Sequence, residues 1–438
     1  MSRYTVLIIS ILFLLIRVMV ILWGGQHEAP GGDQLAFYSG AKKLTHAWDA
    51  WVTGGGEFGY RAPLYFVFLS GVFALVPDAT FLTGQLATAL IGVLNCILTY
   101  ILVRNLTGER AAKVAFWLRG ILPSWVAADT FVMSEPFFAT FLLSALVVIS
   151  QKPNNPDRRQ ALMLGLLTAC CLLTREVAIF YPVLFGGYLY MASGSWKAAR
   201  GYVAWFSLAL VLTLTPWMWR NVIVWGQPLP ISYTSGVNLH IGNNPHATGK
   251  WVHFSSESEA AGGDFGTPQS DAWHRREAIR YIQENPLQAV QLGFKKLAWF
   301  LWPRFEREEL TELYQLPSRQ STIISSVLGL LSGGVLILGV AGLVFGRRDW
   351  FWWVSLMLIA YTLAVTFVVY GSPRYRDAVD CLLLVYAATV VVRWRQLWIE
   401  INTKGTLARR RLMILAPIVS YILANWIWIV YGLTRSGH

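Results

Sequence analysis

The stretch Arg61-Ala62-Pro63-Leu64-Tyr65-Phe66-Val67-Phe68-Leu69-Ser70-Gly71-Val72-Phe73-Ala74-Leu75-Val76-Pro77-Asp78 decides the architecture. Its apolar run covers about 15 residues and stops at Pro77-Asp78, whereas an α-helix needs roughly 20 to cross the hydrocarbon core. The neighbouring runs are long enough. Candidate spans lie at about 5–23, 79–103, 111–128, 131–150, 161–175, 177–193, 201–216, 322–345, 350–370, 377–393 and 412–432. Whether 62–76 joins them fixes the side of every later loop.

Charge settles that choice, because short cytoplasmic loops carry an excess of Lys and Arg. With 62–76 left out and the N-terminus inside, the inside connections hold Arg104, Arg110 and Lys113, then Lys152, Arg158 and Arg159, then Lys197 and Arg200, then Arg347 and Arg348. The last holds Arg393, Arg395, Lys404, Arg409, Arg410 and Arg411. Counting 62–76 as a span moves 104–113 outside and breaks the pattern. The reading is an all-α polytopic membrane protein with about eleven transmembrane helices, the N-terminus cytoplasmic, the C-terminus outside, and 62–76 a re-entrant or interfacial helix.

Composition agrees. Of 438 residues 55% are hydrophobic and only 14% charged, and 21 Trp and 18 Tyr suit a chain with much surface at the lipid–water interface. The net charge of +12 sits largely in the short loops, so it marks orientation in the membrane and not a nucleic-acid partner. Cys96, Cys170, Cys171 and Cys381 all lie in apolar runs, and no Cys/His spacing resembles a zinc site. The first run is followed by no clear cleavage pattern and reads as a retained anchor. The chain reads as one transmembrane catalytic domain over 1–438.

Two regions outside the membrane are long. The first, 24–78, holds Asp33 behind Gly31-Gly32, which let the backbone turn sharply, and a Gly-rich turn at Gly54-Gly55-Gly56. The second, a large extracytoplasmic loop over 217–321, is expected to carry a helix over 271–284 capped by Ser270, with Trp273, Ile279 and Ile282 on its apolar face. Asn285-Pro286 interrupts it. The amphipathic 287–302, with Lys295 and Lys296 beside Leu297, Trp299, Phe300 and Trp302, reads as a helix on the membrane surface.

On this map the unusual polar residues collect at the outer side: Asp33 and Arg61; Asp129, Ser134 and Glu135; Arg175 and Glu176; Arg220 and Asn221 after the seventh span; Arg374, Arg376 and Asp377 between the ninth and tenth. Ionisable groups at this depth are costly and usually face a partner or a polar cavity. Carboxylates there can activate a hydroxyl or hold a metal, and arginines can grip a phosphate with paired donors. That combination suits attack by an acceptor hydroxyl on a sugar attached to a lipid phosphate. No GxxxxGK[ST] or GxGxxG phosphate loop is present. Plainer readings stand beside this one. Arg175–Glu176 reads equally as a pair locking helix ends, and Arg220 and Asn221 as helix-end anchors. Arg17 and Arg119 read as structural, His240, His246 and His253 as surface residues, and Asp49 and Glu57 as solvated loop acids.

Ordered motifs then resemble the GT-C superfamily of polytopic glycosyltransferases, closest to the protein O-mannosyltransferases and the bacterial lipid A aminoarabinose transferase. Asp33 with Tyr38 looks like the first-loop acidic motif, and Tyr60-Arg61-Ala62-Pro63-Leu64-Tyr65 like the (R)xPLY segment. Ser134-Glu135-Pro136 resembles SEP, and Leu173-Thr174-Arg175-Glu176 resembles LTRPE, with Glu176 where Pro is common. Thr215-Pro216-Trp217 through Arg220-Asn221 resembles PWxxRN. Pro230-Ile231-Ser232 and Ile241-Gly242-Asn243-Asn244-Pro245-His246-Ala247-Thr248-Gly249 resemble PIS…GNNPxAxG. Arg374-Tyr375-Arg376 resembles a late arginine motif, followed by Asp377-Ala378-Val379 where Pro is common.

The resemblance implies a GT-C fold and inverting transfer from a polyprenyl-phosphate sugar to a lipid, glycan or protein acceptor, in a bacterial inner membrane. Asp33 would be the general base. Arg374 and Arg376, then Arg61, Arg175 and Arg220, would hold the donor phosphate. Asp129, Glu135, Tyr38, Tyr60, Asn243 and Asn244 would shape the acceptor or sugar pocket. No cofactor is expected; with no DxD motif, a divalent metal is not indicated. The chain's end after the eleventh span suggests a compact bacterial enzyme. Rival readings are a transporter or flippase for lipid-linked sugars, which should show related halves and mid-membrane charges, and a ligase or polymerase using a pyrophosphate-linked donor.

Overall fold

The structure, a computed structural model, describes residues 1–24, 29, 31–47, 49–53, 57–252, 254, 263–302, 317–403, 411–424 and 427. The Gly54-Gly55-Gly56 turn, His253, the Glu57 side chain, the basic run 404–410 and most of 425–438 lie outside the described residues.

Every regular element among the described residues is helical. Six helices are long and apolar enough to cross a membrane: Arg3–Gly24, Phe81–Thr107, Ser134–Gln151, Trp196–Trp225, Ile323–Phe345 and Trp350–Val368. Their outer faces carry bare aliphatic side chains, with Ile8 66% and Leu212 62% exposed, a surface that hydrocarbon and not water must cover. The protein is therefore an integral membrane protein.

The other expected spans are helical but shorter or more polar. The run 111–128 is broken: Leu122 is extended, and Pro123 starts a new short helix, Pro123–Ala128, after Glu109–Ile121. The expected spans at 161–175 and 177–193 appear as Arg158–Leu172 and Tyr181–Ser193, and the one at 377–393 as part of Asp377–Thr403, which kinks at Arg393. The seventh helix does not stop at 216. It runs through Pro216 to Trp225, so Arg220 and Asn221 are helical and not in the loop after it.

The deciding stretch forms Leu64–Leu75, a 12-residue helix, about 18 Å long at 1.5 Å per residue. It packs against the first-loop helix Gly32–His46. The N-terminal amine of Met1 pairs with Glu109, and Asn105 Nδ2 donates to Ser150 Oγ at 2.9 Å. The Tyr188 hydroxyl donates to the Pro153 carbonyl, and Tyr188 packs on Trp350. The chain start and the basic connections near 108, 153 and 348 thus share one end of the bundle. Met1 and residue 109 fall at the same end only if two crossings separate them, which leaves Leu64–Leu75 out as a span.

Close helix pairs build the core: Phe81–Thr107 on Ser134–Gln151, Arg158–Leu172 on Trp196–Trp225, and Ser318–Phe345 on Asp377–Thr403. In the large loop the first helix is Pro268–Glu284, capped by the Thr267 hydroxyl accepting from Ser270 N, so Ser270 is inside the helix and not its cap. Its buried face is Ser270, Asp271, His274 and Ala278, while Ile279 is exposed. The expected apolar face is replaced by a polar one because this helix packs on Ser235–Gly242, which presents His240 and a backbone N–H. The amphipathic helix appears as Pro286–Leu301.

Candidate active site

The opposite end of the bundle gathers the acids and arginines. Gly31 and Gly32 have φ of 40° and 60°, where a side chain is strained, and that turn starts the helix Gly32–His46 with Asp33 in its first turn. Asp33 Oδ1 accepts from Arg61 Nη2 at 2.7 Å and Nε at 3.2 Å, and Oδ2 accepts from Arg374 Nη2 at 3.0 Å. Arg61 lies just before Pro63, and the Leu64 N–H donates to the Leu173 carbonyl at 2.8 Å, which brings Arg61 beside the segment carrying Arg175.

Glu135 occupies the first turn of Ser134–Gln151. Its Oε1 accepts from Arg374 Nε at 2.8 Å and lies 3.0 Å from Arg175 Nη1, while Oε2 is sealed from solvent with no partner among the described residues. Arg175 also donates to Ser134 Oγ at 3.2 Å and covers the Tyr375 ring at 5.7 Å. Arg374 is presented by the 3-10 turn Pro373–Arg376, whose start is fixed by Ser372 Oγ accepting from Arg374 N.

The charges alternate: Arg61, Asp33, Arg374, Glu135, Arg175. Three cations and two anions leave one net positive charge. Burial alone would raise the Asp33 carboxyl, but Arg374 and Arg61 outweigh it and hold that carboxyl far below the usual carboxylate range. A cavity of about 20 Å³, room for one water, opens beside Glu135, Arg175, Tyr181, Arg374, Tyr375 and Asp377. Chemically the cluster offers an ionised carboxylate next to donors that suit a phosphate.

Other expected site residues lie elsewhere. Asp129 and Arg17 are both 0% exposed; Asp129 Oδ2 accepts from Arg17 Nη2 at 2.7 Å and Arg119 Nη1 at 2.9 Å. This triad locks the first helix to 109–129 and does not line the cavity. Arg376, 1% exposed, donates to Asp380 and to the Phe300 and Trp302 carbonyls, facing away from Arg374. Arg220 donates to the Trp51 carbonyl and to Asn221. Tyr38 packs between Phe73 and Phe81 in the first-loop core, whereas Tyr60 lies against the Arg61 guanidinium at 4.9 Å.

Asn243 and Asn244 serve the fold of their own loop. Asn243 Nδ2 donates to Leu239 and Val368 carbonyls, and Asn244 donates to His240 and accepts from His246 N. The turn is tight: a Cβ on Gly242 would sit 1.5 Å from the Val369 carbonyl oxygen. Lys296, expected on the surface, is wholly buried and donates to Asn243 Oδ1 at 3.0 Å and Val368 O at 2.9 Å. His240 is also buried, its Nδ1 2.8 Å from His274 Nδ1, a partner that no metal-like spacing in the sequence marks. Glu176 accepts from the Ser232 and Thr234 hydroxyls, contacts whose only signal in the sequence was a Glu where Pro is common.

Residues 60–219 match the family described as dolichyl-phosphate-mannose-protein mannosyltransferase. The fold is similar to that of the Archaeoglobus fulgidus oligosaccharyltransferase in its apo form, at 14% identity and a TM-score of 0.54, over 99% of this chain and 56% of that one. The chain thus spans about half the length of that enzyme. A looser likeness is to apo ArnT from Cupriavidus metallidurans, at 14% identity and a TM-score of 0.41, over 90% of this chain and 78% of that one. No curated protein matches. Residues 60–219 thus resemble that mannosyltransferase family in sequence, and the chain as a whole shares the fold of the oligosaccharyltransferase.

Proposed function

We propose that the protein moves a sugar, with inversion, from a polyprenyl-phosphate carrier to an acceptor hydroxyl at the extracytoplasmic face of a bacterial inner membrane. Arg374 carries the reading, because it contacts Asp33 and Glu135 at once, joining a prospective base to a phosphate-binding arginine cluster. The face follows from charge. The end bearing Met1 and the connections near 108, 153 and 348 holds the basic loops, so the Asp33 end faces outward.

The chemistry follows from the contacts. Donor phosphate oxygens accept from Arg374, with Arg61 and Arg175 as flanking donors, and their positive charge stabilises the phosphate as the sugar–oxygen bond breaks. The acceptor oxygen bonds the anomeric carbon from the opposite face, and its proton passes to Asp33. A carboxylate held so low is a weak base, and an alcohol's pKa is far above it, so proton transfer comes late. Engaging Arg374 with phosphate draws it from Asp33, and a carboxylate relieved of one guanidinium is more basic. Donor binding therefore readies the base. The acceptor, a lipid, lipid-linked glycan, polysaccharide or protein, reaches the cluster from the outer side, with Glu135 as its inner wall and Tyr60 beside Arg61.

The reading is tested with purified protein and a panel of polyprenyl-phosphate sugars. Wild-type transfer and its loss in Asp33→Asn are expected; full transfer by that variant removes Asp33 as the base. Reporters fused at residues 108 and 250 should report cytoplasm and outside respectively, and the reverse result overturns the orientation.

A further inference from the structure

Glu176 is a carboxyl that neither the ion-pair chain nor the core accounts for. It directly follows Arg175, so its Cα lies about 3.8 Å from that of a phosphate-binding candidate, and it opens the 3-10 turn Glu176–Phe180. Its Oε1 accepts from two hydroxyls, those of Ser232 and Thr234, which are themselves buried. Among the described residues nothing donates to Oε2, and that oxygen is not sealed off as Glu135 Oε2 is. The side chain is half-buried. One oxygen is therefore fixed by the protein while the other remains open to a ligand.

The neighbours are those of a sugar site. Tyr60 lies within electrostatic reach of both Asp33 and Glu176, covers the Arg61 guanidinium, and packs against Phe265 at 5.8 Å. A sugar ring has an apolar C–H face and a rim of hydroxyls, and a site that reads it needs an aromatic surface with a few placed polar groups. Tyr60 and Glu176 supply those two elements, and the Tyr233 N–H donating to the Gly59 carbonyl at 2.8 Å brings the segment of Tyr60 beside the Ser232–Thr234 segment that holds Glu176.

We propose that Glu176 and Tyr60 form the subsite for the sugar ring of the donor, Glu176 Oε2 bonding a ring hydroxyl while Arg374 and Arg175 hold the phosphate. This rests on the donor reading above. Buried carboxyls resist ionisation, and burial raises Glu176 to about 7, so near neutrality it can accept from or donate to a hydroxyl. Because a site built to bond a hydroxyl discriminates against ligands lacking it, the contribution of Glu176 appears as a preference for sugar-bearing over bare carrier.

The experiment measures equilibrium binding of bare polyprenyl phosphate and of polyprenyl-phosphate mannose, glucose and N-acetylglucosamine to the full-length protein in detergent. Wild type should bind at least one sugar-bearing lipid more tightly than the bare one. Glu176→Ala should lose that increment by about tenfold, equivalent to roughly 1.4 kcal/mol, with bare-lipid affinity unchanged. Glu176→Gln, which can still accept from Ser232 and Thr234, keeps the local fold and should alter the ranking among the three sugars. The subsite is overturned if wild type shows no increment with any sugar, or if both variants keep increment and ranking. If wild type fails to bind even bare polyprenyl phosphate, the donor reading itself falls, and that outcome is separate from loss of the increment alone.

Discussion

Asp33 and Arg374 lie 341 positions apart and meet through a 3.0 Å hydrogen bond, and the same Nη2 atom is 2.7 Å from Glu135 Oε1. A guanidinium shared by two carboxylates is well placed to exchange one of them for a phosphate, because it gains an anionic acceptor as it gives one up. In the proposed reaction the same exchange would change the basicity of Asp33 and so join donor and acceptor chemistry through one side chain.

Asp33→Asn is therefore expected to lower the transfer rate by about 10²–10⁴-fold, the usual range for loss of a positioned base. The amide keeps the planar shape of the carboxylate but cannot take the proton. Donor affinity should hold or rise, since Arg374 no longer faces a competing anion. Single-turnover transfer alongside donor binding separates the two effects; parallel loss of both would point to misfolding or a purely structural role.

Arg374 and Arg376 should behave differently although they are two residues apart. Arg374→Ala is expected to weaken polyprenyl-phosphate binding at least tenfold with little change in melting temperature. Arg376 is buried against Asp380 and two carbonyls, so Arg376→Ala strips a buried carboxylate of this partner and should destabilise the fold by about 3–5 kcal/mol. Thermal melting and lipid binding on both variants decide this; equal melts with lipid binding lost only in Arg376→Ala would reverse the assignment.

Asp129 belongs to the same class as Arg376. With Arg17 and Arg119 both bonded to its carboxylate in a fully buried triad, Asp129→Ala leaves two buried cations without it. A cost of about 3–5 kcal/mol is expected. Protein that survives purification should retain the wild-type acceptor KM, and a selective rise in KM at unchanged stability would restore Asp129 to the acceptor pocket.

These contrasts show what the sequence could and could not disclose. Asp33, Arg61, Glu135, Arg175 and Arg374 were legible as a group because each sits in an ordered motif near a helix end, and the pattern of loop charge predicts that those ends lie together, away from the basic connections near 108, 153 and 348. Arg376 was not separable from Arg374, since only the turn Pro373–Arg376 decides which guanidinium faces Glu135 and which faces Phe300 and Trp302. Asp129 was misjudged because its partner Arg17 lies 112 positions earlier. Lys296 fitted an amphipathic pattern, which records the mean polarity of a face but not that two carbonyl-type oxygens wait for one ammonium. The large-loop helix failed for a related reason: its packing face is polar, with His274 and Asp271 toward Ser235–Gly242, so apolar periodicity pointed the wrong way.

That polar face and Glu176 make stability depend on pH in opposing ways. Burial, with Arg280 and His240 adding to it, pushes His240 and His274 down from 6.5 to about 4, so the folded state binds fewer protons than the unfolded one between those values. Stability should fall as pH drops from about 6.5 toward 4. Burial raises Glu176 from 4.5 to about 7 even against its Ser232 and Thr234 bonds, so here the folded state holds the extra proton, and stability should fall as pH rises from about 4.5 through 7. The two limbs should give a maximum in melting temperature on the acid side of neutrality. Glu176→Gln is expected to flatten the alkaline limb and, by removing the term that opposes the histidines between about 4.5 and 6.5, to steepen the acid one. His274→Phe, which preserves ring packing against Phe254, Phe265 and Trp273, should flatten the acid limb only. A melting profile from pH 4.5 to 8 on the three proteins tests both, and a variant that shifts the whole curve without flattening either limb would sever that residue from the titration.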